Sequence, residues 1–204
     1  TAEIASVDLN WGKIVREADD DFPEVRGVLK DRPIFGAFAF TIYKIFWLIF
    51  KIFLRLDVMG KENLSVGTQA ASLPPETGGQ AARGPAFIIC PNHQSFLDPF
   101  VICSNYPFAL FKNIFHVGAS EFFSNTLTKY IAKLLNVVPV NPDTELMRAM
   151  KAGAIGLRGG KVLNIYPEGE RAFDGELHNF KKGAAILAAE LDVPIVPIAI
   201  DGLY

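Results

Sequence analysis

The stretch "IICPNHQSFLDPF", residues 88–100, decides how this chain is read. With the two residues before it, "AFIIC" (86–90) is a short apolar run of the kind that forms a buried strand, and Pro91 ends it. A histidine and an aspartate then follow five residues apart, at the carboxyl end of a core strand. Ser95-x-x-Asp98 is a capping-box pattern and Pro99 is tolerated in a first turn, so a helix starts near Ser95 to Pro99. Capping alone makes no use of His93. Side chains five residues apart on a regular helix point about 140° from each other. With His93 ahead of the helix and Asp98 in its first turn, however, the chain reversal can bring imidazole and carboxylate together. Such an aspartate fixes the ring tautomer and leaves the other nitrogen as a base. On these residues alone two readings stay open: a helix cap beside an incidental histidine, or a His93–Asp98 dyad.

Downstream, helical and strand patterns alternate. Ser120 can cap a helix over 121–135, followed by the strand "VVPV" (137–140). Asp143 or Thr144 opens a helix to about Leu157, which Gly159 and Gly160 close. "KVLNIY" (161–166) is a strand, 181–191 a helix, and "PIVPIAI" (194–200) a strand. Short β-branched runs between amphipathic helices imply an α/β layered domain with a largely parallel sheet flanked by helices. Ligands of such sheets gather at the carboxyl ends of the strands. Two polar loops follow strands and are expected on one edge: "PNHQSFLDP" after 86–90 and "PEGERAFDGEL" after 161–166. The second can be a plain turn with Glu168, Glu170 and Arg171 as solvated charges. Its functional reading has Gly169 admitting close backbone approach and Arg171 offering a bidentate fork to a phosphate or carboxylate. Lys181 and Lys182 extend a positive pocket, or merely begin a solvated helix.

Upstream, "PIFGAFAFTIYKIFWLIFKIFLRL" (33–56) is the most hydrophobic segment. It has the length of a bilayer span, but Lys44 stands at its middle. Lys44, Lys51 and Arg55 share one helical face, and Phe35, Phe38, Phe46, Trp47, Ile49, Phe50 and Phe53 fill much of the rest. A broad apolar face with a narrow basic stripe suits a helix lying in the membrane interface, its bases near anionic headgroups. The chain therefore divides into a polar N-terminal segment (1–32), a membrane-interfacial helix (33–56) and a domain (57–204) that contains a flexible Gly/Ala/Ser/Pro-rich loop (65–85).

Composition supports an apolar surface beyond the core: 50 % of the 204 residues are hydrophobic, and 17 are Phe. A net charge of −2 gives no bulk attraction to nucleic acid. Acids (Glu3, Asp8, Glu17, Asp19, Asp20, Asp21, Glu24) crowd the first segment, and bases (Arg26, Lys30, Arg32, Lys44, Lys51, Arg55) the next. Cys90 and Cys103 read as core thiols of a reducing compartment. The acidic N-terminus does not resemble a signal peptide, and the chain is expected to be a piece of a longer protein. "GLRGGKV" (156–162) lacks the upstream glycine and following Ser/Thr of a P-loop. His116 and His178 have no paired metal-ligand spacing, so no metal is expected; His116 reads as a packing residue and His178 as a loop residue.

Taken together, the two loops resemble a family. "NHQSFLD" is similar to the Asn-His-x-Ser-x-x-Asp block of the glycerolipid acyltransferases, the group that includes 1-acylglycerol-3-phosphate acyltransferase. "YPEGERAFDGELHNFKKGAA" (166–185) looks like their third block, usually Phe-Pro-Glu-Gly-Thr-Arg-Ser followed by Phe-Lys-x-Gly, and "VPIVPIAI" (193–200) like the fourth. "DVMGKENL" (57–64) matches the usual lead-in, and the blocks keep the family's order over roughly 57–204. There are departures. Glu170 and Ala172 stand where Thr and Ser are usual, Asn141-Pro142 where Asp-Arg is usual, and Ala119 where a lysine is common.

The resemblance implies an O-acyltransferase of phospholipid biosynthesis. A fatty acyl group would move from acyl-CoA or acyl carrier protein to a hydroxyl of a glycerophosphate or lysophospholipid. It implies His93 as base, Asp98 as its orienting partner, and Glu168, Gly169, Arg171, Lys181 and Lys182 as the acceptor's binding residues. It implies no cofactor beyond the acyl thioester co-substrate. Membrane lipid and the thioester donor are the expected partners, nucleic acid is not, and the expected location is the cytoplasmic face of a membrane. The competing class is a non-catalytic lipid-binding or membrane-anchoring module on the same fold, motivated by the missing bases and opposed by the intact His93/Asp98 pair.

Overall fold

The computed structural model describes residues 10–18, 25, 30, 33–64, 86–118, 125, 126, 128, 130, 132, 136–140 and 145–203. The expected loop 65–85, the cap at Ser120, Ala119, Asn141-Pro142 and most of the helix 121–135 lie outside these residues. In chain order the elements are α1 (Trp11–Arg16), α2 (Pro33–Phe53), β1 (Ile88–Pro91), α3 (Asp98–Ser104), α4 (Phe108–Phe111), β2 (Ile114–Gly118), β3 (Val137–Pro139), α5 (Leu146–Arg158), β4 (Val162–Asn164), α6 (Gly183–Leu191) and β5 (Ile195–Ile198).

The sheet runs β3-β2-β4-β1-β5, and every pairing in it is parallel. Alternation along the strands splits the core in two. Ile88, Phe115 and Leu163 point to one face and pack with Met150, Ile155 and Leu157 of α5 and Leu187 of α6. Phe87, Ile89, Ile114 and Val162 point to the other and pack with Ala39 and Tyr43 of α2, Ile102 of α3 and Leu110 of α4. This is the layered α/β fold expected from the sequence. Val15 and Ala18, within the acidic first segment, belong to the first of these cores.

Close approach has a specific cause on the α5 side. A Cβ added at Gly156 would lie 2.1 Å from Phe115 Cζ, so the absent side chain lets the helix settle on β2. Gly159 and Gly160 close α5 as expected, with Gly160 at φ 75° and the Lys161 N–H reaching the Gly156 carbonyl at 3.0 Å. β2 itself is not foreseen in the sequence analysis.

Helix α2 packs one face on the domain. Tyr43 stacks on Phe100 of α3 (centroids 5.8 Å apart), and Phe46 meets the same ring edge-on at 5.3 Å. Its opposite face leaves Ile34, Phe38, Ile45, Leu48, Ile49, Ile52 and Phe53 exposed. By length and composition Ile34–Phe53 could cross a membrane, and only 17 % of its apolar window is buried. One expectation needs correction. Lys44 does not reach outward to headgroups: its Nζ donates to the carbonyls of Ser104 (2.9 Å) and Tyr106 (3.2 Å), at the C-terminal end of α3. There the ammonium satisfies carbonyls that the helix leaves unpaired, and partial burial lowers its pKa.

Candidate active site

Because β1 and β4 are parallel neighbours, the loops leaving their carboxyl ends lie side by side. Asn92 anchors the first. Its amide mimics a backbone pair with Ile200, donating to the carbonyl at 2.8 Å and accepting the N–H at 2.6 Å. This ties the chain just before His93 to the segment following β5.

His93 is then held on three sides by the second loop. Its N–H donates to Glu168 Oε1 at 2.7 Å, and its carbonyl accepts the Ala172 N–H at 2.8 Å. Its imidazole lies on the ring of Tyr166, with centroids 4.0 Å apart and planes 20° from parallel. Nδ1 faces Asp98 Oδ2 at 2.8 Å. That oxygen also accepts the N–H groups of Gln94 (2.7 Å) and Ser95 (2.9 Å), within a carboxyl group that is 0 % exposed. An ionised carboxylate with three donors imposes the Nδ1–H tautomer, which leaves Nε2 as the basic nitrogen. The imidazole keeps 19 % of its surface open.

The capping box itself does not form. Asp98 accepts the Ser95 N–H, but Ser95 Oγ accepts the Leu97 N–H at 3.2 Å and not that of Asp98, and α3 starts at Asp98 with Leu97 as its N-cap and no side-chain cap bond. The same Asp98 oxygen holds His93.

The structure separates the remaining sequence candidates. Glu168 is 2 % exposed, and its second oxygen accepts the His178 N–H at 2.9 Å. The carboxylate is turned inward, laced to the backbone of both loops. This departs from the expectation that it holds a substrate. Gly169 has φ 79°, and a Cβ there would come within 2.6 Å of the Lys181 side chain. Arg171 sits between two aromatic rings, its guanidinium carbon 3.4 Å from the Phe96 centroid and 4.8 Å from that of Phe173. Among the described residues no carboxylate pairs with it. The Lys181 N–H donates to the Pro167 carbonyl at 2.8 Å, which fixes that exposed lysine beside the loop. Lys182 is exposed at the start of α6.

His116 is buried as a packing residue, with a polar role besides. Asn164 Nδ2 donates to its Nδ1 at 3.0 Å, and burial pulls its pKa down to about 4. His178 is on the loop, its ring 3.1 Å from Asp174, which raises its pKa. Sequence reasoning gave no role to Asn92 or Tyr166. The readable signals were an amide at the strand end and an aromatic residue directly before Pro167. Among the described residues no cluster of three or more His, Cys, Asp or Glu side chains is suited to a metal ion.

Comparison with known proteins bears on this geometry. The family model described as Acyltransferase matches residues 55–201. The chain is 33 % identical over 117 residues to 1-acyl-sn-glycerol-3-phosphate acyltransferase LPAT1, chloroplastic, of Arabidopsis thaliana, which covers 54 % of this chain and 30 % of that protein. It is 31 % identical over 170 residues to the 1-acyl-sn-glycerol-3-phosphate acyltransferase of Saccharomyces cerevisiae, covering 77 % and 47 %. The chain thus spans less than half the length of these relatives. A crystal structure of the 1-acyl-sn-glycerophosphate acyltransferase PlsC from Thermotoga maritima aligns at 20 % identity with a TM-score of 0.40, over 86 % of this chain and 75 % of that one.

Proposed function

The chain belongs to the acyltransferase family, and on that premise we propose that it moves a fatty acyl group from a thioester to a hydroxyl of a glycerophosphate or lysophospholipid. The observation that carries this reading is the 2.8 Å contact of His93 Nδ1 with a buried Asp98, which leaves Nε2 as the base of a partly open ring.

In the proposed reaction Nε2 of His93 removes the acceptor's hydroxyl proton as the oxygen attacks the thioester carbonyl. Asp98 stabilises the imidazolium that forms. Collapse of the tetrahedral intermediate breaks the carbon–sulfur bond, and the imidazolium returns the proton to the leaving thiol. No acyl-enzyme is needed. Ser95 Oγ accepts the Leu97 N–H in the turn ahead of α3. Tyr166, Glu168 and Ala172 hold the base in place, so little reorganisation accompanies the proton transfer. Arg171, with its planar fork held between rings, suits the acceptor's phosphate, and Lys181 and Lys182 add charge nearby.

The donor in this reading is acyl-CoA or acyl carrier protein, used as co-substrate. The exposed face of α2 supports membrane association, and two free cysteines support a cytoplasmic placement. Neither nucleic acid nor a metal enters the scheme.

Thiol release from a labelled acyl thioester, measured against a panel of lysolipids in reconstituted lipid, tests the reaction. His93→Ala is expected to lower turnover by ~10²–10⁴-fold. Near-normal transfer by that variant would remove His93 from the mechanism.

A further inference from the structure

Helix α2 grips the short helix that carries Asp98. α3 has seven residues, so it is about 10 Å long at ~1.5 Å per residue, and Asp98 is the first of them. Its front end has no side-chain cap at Leu97. That end is tied down by the Asp98 carboxylate itself, through His93, Gln94 and Ser95. At the far end the Val101 carbonyl accepts from Ser104 Oγ and Asn105 Nδ2, and those of Ile102 and Cys103 accept the N–H groups of Asn105 and Tyr106. The next carbonyls are met from α2: Lys44 Nζ donates to Ser104 at 2.9 Å and to Tyr106 at 3.2 Å.

The ammonium is itself well seated. It lies 4.9 Å from the centroid of Phe40, whose ring meets Phe108 and Phe111 of α4 edge-on. Beside it Tyr43, fully buried, stacks on Phe100, two residues on from Asp98. α2 therefore holds α3 at its middle and at its C-terminal end. Apolar packing could supply the first hold, but only a donor with several N–H groups can take two carbonyls at once. A helix of two turns is too short to bend, and packed interiors transmit displacement. A shift at Ser104 is thus passed to the Asp98 carboxylate, which sets the tautomer and aim of His93. Resting on the acyl-transfer reading above, we propose that Lys44 is a positioning residue for the His93–Asp98 dyad, acting through α3. It touches no reacting atom.

The test compares two lysines of α2 in the full chain in micelles. Lys44→Met keeps the length of the side chain and removes the donor. It is expected to lower kcat roughly ten- to a hundredfold while both KM values hold. Lys51→Met removes the same charge from the same helix, but Lys51 Nζ donates to the Leu56 carbonyl at 3.2 Å and not to α3. Its kcat should match that of the parent chain. An unchanged kcat in Lys44→Met, or an equal loss in Lys51→Met, would overturn the proposal.

A second readout follows the ring directly. With isotope-labelled histidine in alkaline buffer, nuclear magnetic resonance of the parent chain should show His93 as the Nδ1–H tautomer, its signal assigned by loss in His93→Ala. Lys44→Met should show a mixture of tautomers and faster exchange of the Nδ1 proton, and Lys51→Met neither. An unaltered His93 signal in folded Lys44→Met would refute the proposal whatever kcat does. If Lys44→Met does not fold, Lys44→Gln, a shorter donor, is judged by the same outcomes. Absence of transfer by the parent chain would sink the acyl-transfer reading, and the tautomer comparison would still decide what Lys44 does.

Discussion

Glu168 grips the backbone of His93: Oε1 accepts the His93 N–H at 2.7 Å, while Oε2 accepts the His178 N–H at 2.9 Å. A buried carboxylate used this way sets where the imidazole stands and has little left for a substrate. The Glu168→Gln variant keeps the shape but offers one acceptor oxygen, so one of the two N–H groups must face an NH₂. A charged hydrogen bond is worth ~1.5–3 kcal/mol, so kcat should fall roughly ten- to a hundredfold. Both KM values should hold. Steady-state kinetics decides the point: a raised acceptor KM with normal kcat would make Glu168 a binding residue after all.

Arg171 has the opposite signature. Its guanidinium is stacked between Phe96 and Phe173 and is not neutralised by a carboxylate among the described residues. Lysine cannot reproduce either the stacking or the planar fork. Arg171→Lys should raise the acceptor KM and leave the thioester KM nearly unchanged, with a loss of roughly tenfold or more in acceptor kcat/KM. The comparison to make is between phosphorylated and unphosphorylated acceptors. Equal losses for the two would mean that Arg171 serves the loop and not a phosphate.

Which parts of this were legible follows from what kind of information each carries. The His93–Asp98 contact could be read because it depends on local spacing, and the Ser95 N–H held by Asp98 fixes the turn that brings the two together; the full capping box was misread, since α3 begins only at Asp98. Parallel pairing of β1 and β4 followed from the alternation of elements, and with it the meeting of the two loops. The inward turn of Glu168 was not legible, because it depends on the path of a loop that bonds back to Pro167 and His178. Lys44 misled for a related reason: periodicity placed it on a stripe, but only the packing of α2 on α3 shows that this member of the stripe turns to the domain. Strand β2 was missed because a buried histidine interrupts five residues of otherwise apolar pattern.

Packing at Gly156 gives a test of the fold apart from the chemistry. A methyl group at this position would collide with the Phe115 ring, the nearest atom being 2.1 Å away in the unrelaxed structure. Alanine favours a helix over glycine by about 1 kcal/mol, but overpacking of a core typically costs ~1–3 kcal/mol. The clash is severe enough for overpacking to win. Gly156→Ala should therefore be less stable to denaturant in micelles, whereas Gly156→Ala with Phe115→Leu should regain part of the loss. An unchanged midpoint for the single variant would mean that α5 is not seated on β2 as described.

The buried His116 makes stability depend on pH. Burial holds its folded-state pKa at about 4, well under the ordinary 6.5, and Asn164 Nδ2 donates to Nδ1, so that nitrogen carries no proton. Cys103 Sγ lies 3.7 Å from Nε2, and burial pushes that thiol's pKa upward, so it stays neutral and supplies no anion to favour an imidazolium. The sign follows from linkage. Above 6.5 neither state binds the proton and stability is unaffected. Between 6.5 and 4 the unfolded chain binds it and the folded chain does not, so stability falls as pH falls. From pH 7.5 to 5.0 this amounts to about 2 kcal/mol, at ~1.4 kcal/mol per pH unit below 6.5. Denaturant midpoints measured at the two pH values should show that loss in the parent chain and a smaller one in His116→Gln, which cannot titrate. The same pH dependence in both proteins would assign the acid sensitivity to another group.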